Sequence, residues 1–179
     1  MKKLSEKTLT IKDKTSGYDK EILAKKFILP NGTLENFFVD KSKDSVQVFA
    51  LTENQTKVII VKQFRPGTEQ QEIELPGGGL EQGEDPCEGG WRELKEETAY
   101  EADDCIFLSK VPYSPYSTGY RYNVLAANCR LSKDGKDLDP NEFLKVGTMP
   151  LKAFRRLMRA GTVRGYDAAY QGLEALGLL

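Results

Sequence analysis

Apolar residues enter the chain slowly. Up to about residue 40 they are scattered among Lys, Glu, Asp and Thr, and the pattern predicts short strands over 21–29 and 33–39. Pro30-Asn31-Gly32 lies between them, and Asn-Gly in that position predicts a hairpin because both residues tolerate positive φ. Two denser, β-branched runs follow at 46–51 and 58–61. They read as buried strands, with the turn supplied by 53–55. A short strand at 72–75 is broken by Pro76-Gly77-Gly78-Gly79. A helix then begins: Asp85 stands at the N-cap, Pro86 at the first helical position and Glu88 three residues after the cap. Strands are predicted again over 105–111 and 122–127, separated by a loop of turn formers at 112–119. A second loop at 132–142 carries Asp134, Asp137, Asp139 and Glu142. Leu151, Phe154, Leu157 and Met158 then fall at helical spacing, Gly161 stops that helix, and a last helix spans about 166–176. There is no internal repeat and no low-complexity segment.

Composition narrows what such a chain can do. With 179 residues it suggests one domain with a small additional element, long enough to bury a core without staples. It is 39% apolar and 30% charged, as expected of a soluble globular protein. The net charge of -1 argues against coating nucleic acid or an anionic membrane. It is also a cancellation: residues 81–104 hold ten acids and two bases. With no histidine, Ser-His-Asp and Cys-His hydrolases, His-based zinc sites and a histidine general base are all excluded. The three cysteines, Cys87, Cys105 and Cys129, form no C-x-x-C pair and read as reduced, half-buried thiols of a cytoplasmic protein. No signal peptide or membrane-spanning stretch is predicted.

The helix after the glycines concentrates the candidate chemistry. At about 100° per residue, Glu93, Glu96 and Glu97 share one face. Cys87, Trp91, Leu94 and Thr98 share another, which is predicted to pack on a sheet. Like charges three and four residues apart destabilise a helix by a few tenths of a kcal/mol each. A hard cation such as Mg²⁺ or Mn²⁺ would compensate them. A solvated acidic helix edge has the same pattern, and the helix alone does not choose. Gly89 precedes Glu93 by one turn on that face, leaving room for a ligand or a close backbone.

The surroundings of this helix do choose. Gly78, Glu84 and Arg92-Glu93-Leu94-Lys95-Glu96-Glu97 resemble the Nudix box, G-x5-E-x7-R-E-U-x-E-E-x-G-U, where U is aliphatic. Six fixed residues at those offsets recur by chance about once in ten million windows, taking each type at roughly one in fifteen. Ala99 stands where the box has Gly, and Tyr100 stands at the final U. Ala can adopt the positive φ expected at that exit at modest cost. Outside the box, residues 61–66, Glu74-Leu75-Pro76-Gly77-Gly78 and Leu29-Pro30-Asn31-Gly32 resemble the branch that hydrolyses ADP-ribose and other nucleoside diphosphate sugars. That branch also carries a proline about fifteen residues past the box, here Pro115. Members often follow it with Gly, where this chain has Tyr116.

The resemblance implies an α/β (α+β) fold, a mixed β-sheet sandwiched between helices, with an N-terminal antiparallel sheet element. It assigns 1–42 to that element, which serves dimerisation, and 43–179 to the hydrolase domain. It implies Mg²⁺ or Mn²⁺ held by Glu93, Glu97, Glu96 and the Gly77 carbonyl, with Arg92 orienting the glutamates. Arg65 would contact the pyrophosphate. Glu74 would touch the nucleobase or a partner subunit, or else serve the strand edge. Pro115 and Tyr116 would line the base or ribose pocket. Glu142 is the candidate general base, ahead of Asp139 and Asp137, with Glu93 as the alternative. The expected reaction converts ADP-ribose and water to AMP and ribose 5-phosphate, with GDP-mannose and ADP-glucose open. The expected protein is a cytoplasmic homodimer that needs neither membrane nor nucleic acid. Rival readings are a nucleoside triphosphate or RNA 5′-end pyrophosphohydrolase, and a non-catalytic nucleotide-binding Nudix module.

Overall fold

The computed structural model describes residues 1–12, 19–133 and 143–179. Asp134, Asp137, Asp139 and Glu142 lie outside the described residues. The chain divides into two compact units. The first comprises Met1–Asp44 and Val111–Arg121, and the second Ser45–Lys110 and Tyr122–Leu179.

The first unit is built on an antiparallel sheet of β1 (Lys2–Lys12), β2 (Asp19–Ile28) and β3 (Leu34–Asp40), in that order. β2 and β3 form the predicted hairpin, closing at Ile28 opposite Leu34. Its turn differs in detail from the expectation. Only Gly32 takes a positive φ, of 83°, while the Asn31 side chain accepts a hydrogen bond from the Thr33 N–H at 3.0 Å. β1 is exposed along its whole length. Segment 111–121 joins β3: the Asp40 N–H donates to the Tyr116 carbonyl at 2.8 Å, and the Tyr116 ring stacks on Phe37.

The second unit follows from alternation along its strands. β4 (Ser45–Thr52), β5 (Lys57–Arg65) and β6 (Gln70–Glu74) precede α1 (Pro86–Thr98). Then come β7 (Tyr100–Glu101), β8 (Asp104–Pro112), β9 (Tyr120–Leu131) and β10 (Leu144–Pro150). α2 (Leu151–Arg159), β11 (Val163–Arg164) and α3 (Tyr166–Ala175) complete the chain. The sheet runs β11-β6-β5-β4-β9-β7, with β10 paired to β5 and β8 to β9. It is mixed, since β11 lies parallel to β6 and β6 antiparallel to β5. Val46, Val48, Ala50, Ile59, Val124 and Ala126 face one way and pack with Leu94 of α1. Phe49, Leu51, Val58, Ile60 and Leu125 face the other way, against Phe154 of α2 and Ala168, Ala169 and Leu173 of α3. Burial on both faces is why these strands read as continuous apolar runs. No helix among the described residues is long and apolar enough to cross a membrane.

α1 keeps its predicted limits. The Asp85 carboxylate caps it, accepting from the Cys87 N–H at 2.8 Å and the Glu88 N–H at 3.3 Å. Ala99 ends it with φ 61°, and its N–H reaches the Lys95 carbonyl at 2.9 Å. A Cβ in this left-handed region costs about 1–2 kcal/mol, partly offset by burial of the methyl group. Ala99→Gly is therefore expected to stabilise the protein by about 0.5 kcal/mol, raising Tm by roughly 1–2 °C. A lower Tm in calorimetry would refute that balance.

Two expectations for α1 are corrected. Trp91 is 37% exposed and does not lie at the centre of the packed face. Gly90 takes that place, because a Cβ there would sit 2.9 Å from Val124 Cγ2 on the sheet. The space beside Gly89 is filled by Leu80 and the Glu84 carboxylate. The cysteines are corrected too. Cys87 and Cys105 form a disulfide, with Cα atoms 5.7 Å apart, which joins the start of α1 to β8. Their separation of 18 residues has no short-range signature. Only Cys129 is free and buried, its thiol pushed up to about 12 by desolvation.

Candidate active site

β4 clamps the glycine loop onto the sheet. The Val46 N–H donates to the Gly78 carbonyl and the Val48 N–H to the Pro76 carbonyl, both at 2.9 Å. From the residue between them, Gln47 Nε2 donates to the Leu75 carbonyl at 2.6 Å. Gly77 is required where it stands, with φ +150° and a Cβ position already taken by the Val46 carbonyl.

The loop meets the acidic face of α1. The Gly77 N–H donates to Glu97 Oε2 at 2.9 Å, and Glu97 is only 5% exposed. At Gly78 a side chain would collide with the Glu93 carboxylate. Gly78 therefore lets the Glu93 carboxylate approach the backbone closely, while the Gly77 N–H holds Glu97.

Arg92 organises the other side. Its Nε and Nη2 donate to the two oxygens of Glu84 at 2.9 and 3.1 Å. Its Nη1 donates to Glu93 at 2.8 Å and to Glu96 at 3.1 Å, and Nη2 also reaches the Gly79 carbonyl at 2.9 Å. Glu84, foremost among these partners, raises the Arg92 pKa, and the guanidinium holds the Glu84 carboxyl below the usual carboxylate range.

Arg65 and Glu74 meet one another. Arg65 Nε and Nη2 clasp the Glu74 carboxylate at 2.6 and 2.5 Å, and Glu74 is 5% exposed. Arg164 of β11 bonds Glu72 and lies 3.8 Å from Glu74. The hydrogen bonds to Glu74 are the main cause that raises the Arg65 pKa, and the charge of Glu97 adds to it. Glu97 thus lies within the electrostatic reach of Arg65.

The structure brings Arg65, Glu74, Gly77, Arg92, Glu93, Glu96 and Glu97 together in the second unit, whereas Pro115 and Tyr116 belong to the first. Glu142 lies outside the described residues. Sequence reasoning assigned no role to Gln47 or Arg164, and none to Glu84 beyond its place in the box. Gln47 and Arg164 carry no motif; the position of Glu84 in the box was the one available signal.

The donor set suits a hard divalent cation: three carboxylates and backbone carbonyls, with Gly78 leaving room for the Glu93 carboxylate at the loop. As they stand, no three acidic or thiol groups among the described residues converge on one point. Glu93 and Glu96 are instead hydrogen-bonded by Arg92.

Comparison with known proteins agrees with this geometry. A family model, the NUDIX domain, matches residues 41–168. The chain is 33% identical over 171 residues to an ADP-ribose pyrophosphatase of Bacillus subtilis, covering 95% of this chain and 92% of that protein. It is 31% identical over 146 residues to a methanol dehydrogenase activator of Bacillus methanolicus, covering 81% and 78% of the two chains. A crystal structure of an ADP compounds hydrolase superposes with a TM-score of 0.80 at 21% identity, over 99% of this chain and 96% of that one, which shows a shared fold. Nudix hydrolases generally use divalent metals, in keeping with the oxygen donors along α1. The chain belongs to the Nudix family of hydrolases and is one of its pyrophosphatases.

Proposed function

We propose that this protein hydrolyses the pyrophosphate of nucleoside diphosphate sugars, with ADP-ribose as the first substrate, giving AMP and ribose 5-phosphate. The observation that carries the reading is the 33% identity, over nearly the whole chain, to a protein named for that activity. The site offers the necessary chemistry. Glu93, Glu96, Glu97 and the Gly77 carbonyl would hold Mg²⁺ or Mn²⁺, which when bound neutralises charge on the diphosphate and acidifies a coordinated water. Arg92 orients Glu93 and Glu96 through its own anchor on Glu84. Arg65, its fork fixed by Glu74, presents its remaining N–H groups to a phosphate oxygen. Glu93 or Glu142 would accept the water proton.

The test is turnover of ADP-ribose, GDP-mannose, ADP-glucose, NADH and dGTP with Mg²⁺ and with Mn²⁺. ADP-ribose is expected to give the highest kcat/KM, with AMP and ribose 5-phosphate as products. A preference for dGTP, or no turnover at all, would overturn the reading.

The same reading includes a homodimer. Its support is β1, an edge strand of 11 residues exposed throughout, with backbone groups open to pairing. Light scattering at micromolar concentration is expected to give twice the chain mass; a monomer there would dismiss the dimer.

A further inference from the structure

The Cys87–Cys105 disulfide closes a loop around the residues assigned above to the metal site. Cys87 is the second residue of α1 and Cys105 the second of β8. Between them lie Arg92, Glu93, Glu96, Glu97 and the strained exit at Ala99. The half-helix that carries the bond is tied to the site. Leu80 and the Glu84 carboxylate pack where a Gly89 side chain would be. Glu84 in turn grips Arg92 through two hydrogen bonds, and Arg92 holds Glu93 and Glu96. The position of the first turn of α1 is therefore passed to the carboxylates through one anchored guanidinium.

Both bonded cysteines are half-buried, within reach of a small thiol. Cys129, packed in the same cluster, is 2% exposed and its thiol is pushed up to about 12, so it takes no part in exchange. The pair is thus a single, chemically separate two-electron centre.

We propose that Cys87–Cys105 is a reversible thiol–disulfide site that sets how firmly the carboxylate helix holds a divalent cation. The oxidised pair fixes the first turn of α1 on β8, and the reduced pair releases it. The reductant is a dithiol. One of its thiolates attacks a cystine sulfur, the Sγ–Sγ bond breaks, and the departing thiolate takes a proton. The second thiol of the reductant resolves the mixed disulfide, leaving as a cyclic disulfide. Two electrons and two protons reach the protein, and a disulfide oxidant reverses the step. The proposal rests on the metal-binding role given above to Glu93, Glu96 and Glu97.

The experiment equilibrates the purified full chain with reduced or oxidised dithiothreitol, counts free thiols by alkylation and mass, and titrates Mn²⁺ by electron paramagnetic resonance. Hydrolysis of ADP-ribose is followed in parallel. One free thiol is expected in the oxidised form and three in the reduced form. Reduction is expected to weaken Mn²⁺ binding about tenfold, the scale of losing an outer-shell support. Cys87→Ser and Cys105→Ser should each match the reduced enzyme and ignore the redox poise. Three free thiols after oxidation would overturn the proposal. So would equal Mn²⁺ affinity in the two wild-type forms, or redox sensitivity that survives in either variant. A fall in Tm on reduction with unchanged Mn²⁺ affinity would leave the bond a structural staple, again overturning it. An oxidised protein that binds no Mn²⁺ would remove the metal reading itself, and this proposal with it.

Discussion

Arg92→Ala is expected to lower kcat/KM about 100-fold and to destabilise the protein together. The side chain bridges Glu84, Glu93 and Glu96, and its loss leaves three carboxylates and the Gly79 carbonyl without their shared donor. The Glu84 and Glu93 side chains are 14% and 12% exposed, so neither is fully re-solvated. Breaking a buried pair costs about 3–5 kcal/mol. Arg92 itself is 29% exposed, which reduces that to about 2 kcal/mol, or roughly 4–8 °C in Tm. Acid titration separates this from a packing effect. The Arg92 guanidinium lowers the Glu84 pKa below its ordinary 4.5. Its stabilisation is therefore complete above pH 4.5 and disappears as pH falls through the folded value. The Tm gap between wild type and Arg92→Ala should be widest near neutrality and should narrow below pH 4.5. A gap independent of pH would remove the ion-pair account. Arg92→Lys, which keeps the charge but lacks the fork, should fall between the two.

The same contacts show what the sequence could reveal. α1 was legible from end to end, because Asp85, Pro86 and the positive-φ exit act locally and need no partner. The central strands were legible because both faces are buried, so their apolar runs are unbroken. β1 was not: its lysines, glutamate and threonines leave no buried face, and only pairing with β2 makes it a strand. β7 and β11, two residues each, exist only through their neighbours. In the site, the glutamates were readable because their spacing puts them on one helix face, and Arg92 because the segment resembles the box. The Arg65–Glu74 clasp was not, since it joins two strands whose register sets Arg65 opposite Gln70, so the long Arg65 side chain must reach along β6 to Glu74. Gln47 and the Cys87–Cys105 bond lay hidden for the same reason: their partners are set by tertiary structure. Trp91 lay about 100° around the helix from Gly90 at the centre of the packed face, and a glycine has no hydropathy to display.

Glu97→Gln is expected to have the largest effect on activity and almost none on the fold. Glu97 is 5% exposed in the last turn of α1, and its Oε2 accepts the Gly77 N–H at 2.9 Å. The glutamine amide has the same shape and can offer its carbonyl oxygen to that N–H, so the loop keeps its place. What disappears is a full negative charge and one hard anionic donor. A cation's stabilisation of the transition state amounts to several kcal/mol, and each 1.36 kcal/mol is a factor of ten. Losing a principal ligand should therefore cost about 10³-fold in kcat/KM, with Mn²⁺ binding weakened in parallel. Tm in the absence of metal should change by less than about 2 °C, since the amide keeps both the shape of the side chain and the bond to the Gly77 N–H. Glu96→Gln provides the contrast. Its side chain is 39% exposed and would assist the principal ligands Glu93 and Glu97 in holding the cation, so a smaller loss of about tenfold is expected. Equal losses for Glu96 and Glu97 would show that total charge on the helix face governs activity. An active Glu97→Gln enzyme with normal Mn²⁺ affinity would show that the buried carboxylate serves only to hold Gly77.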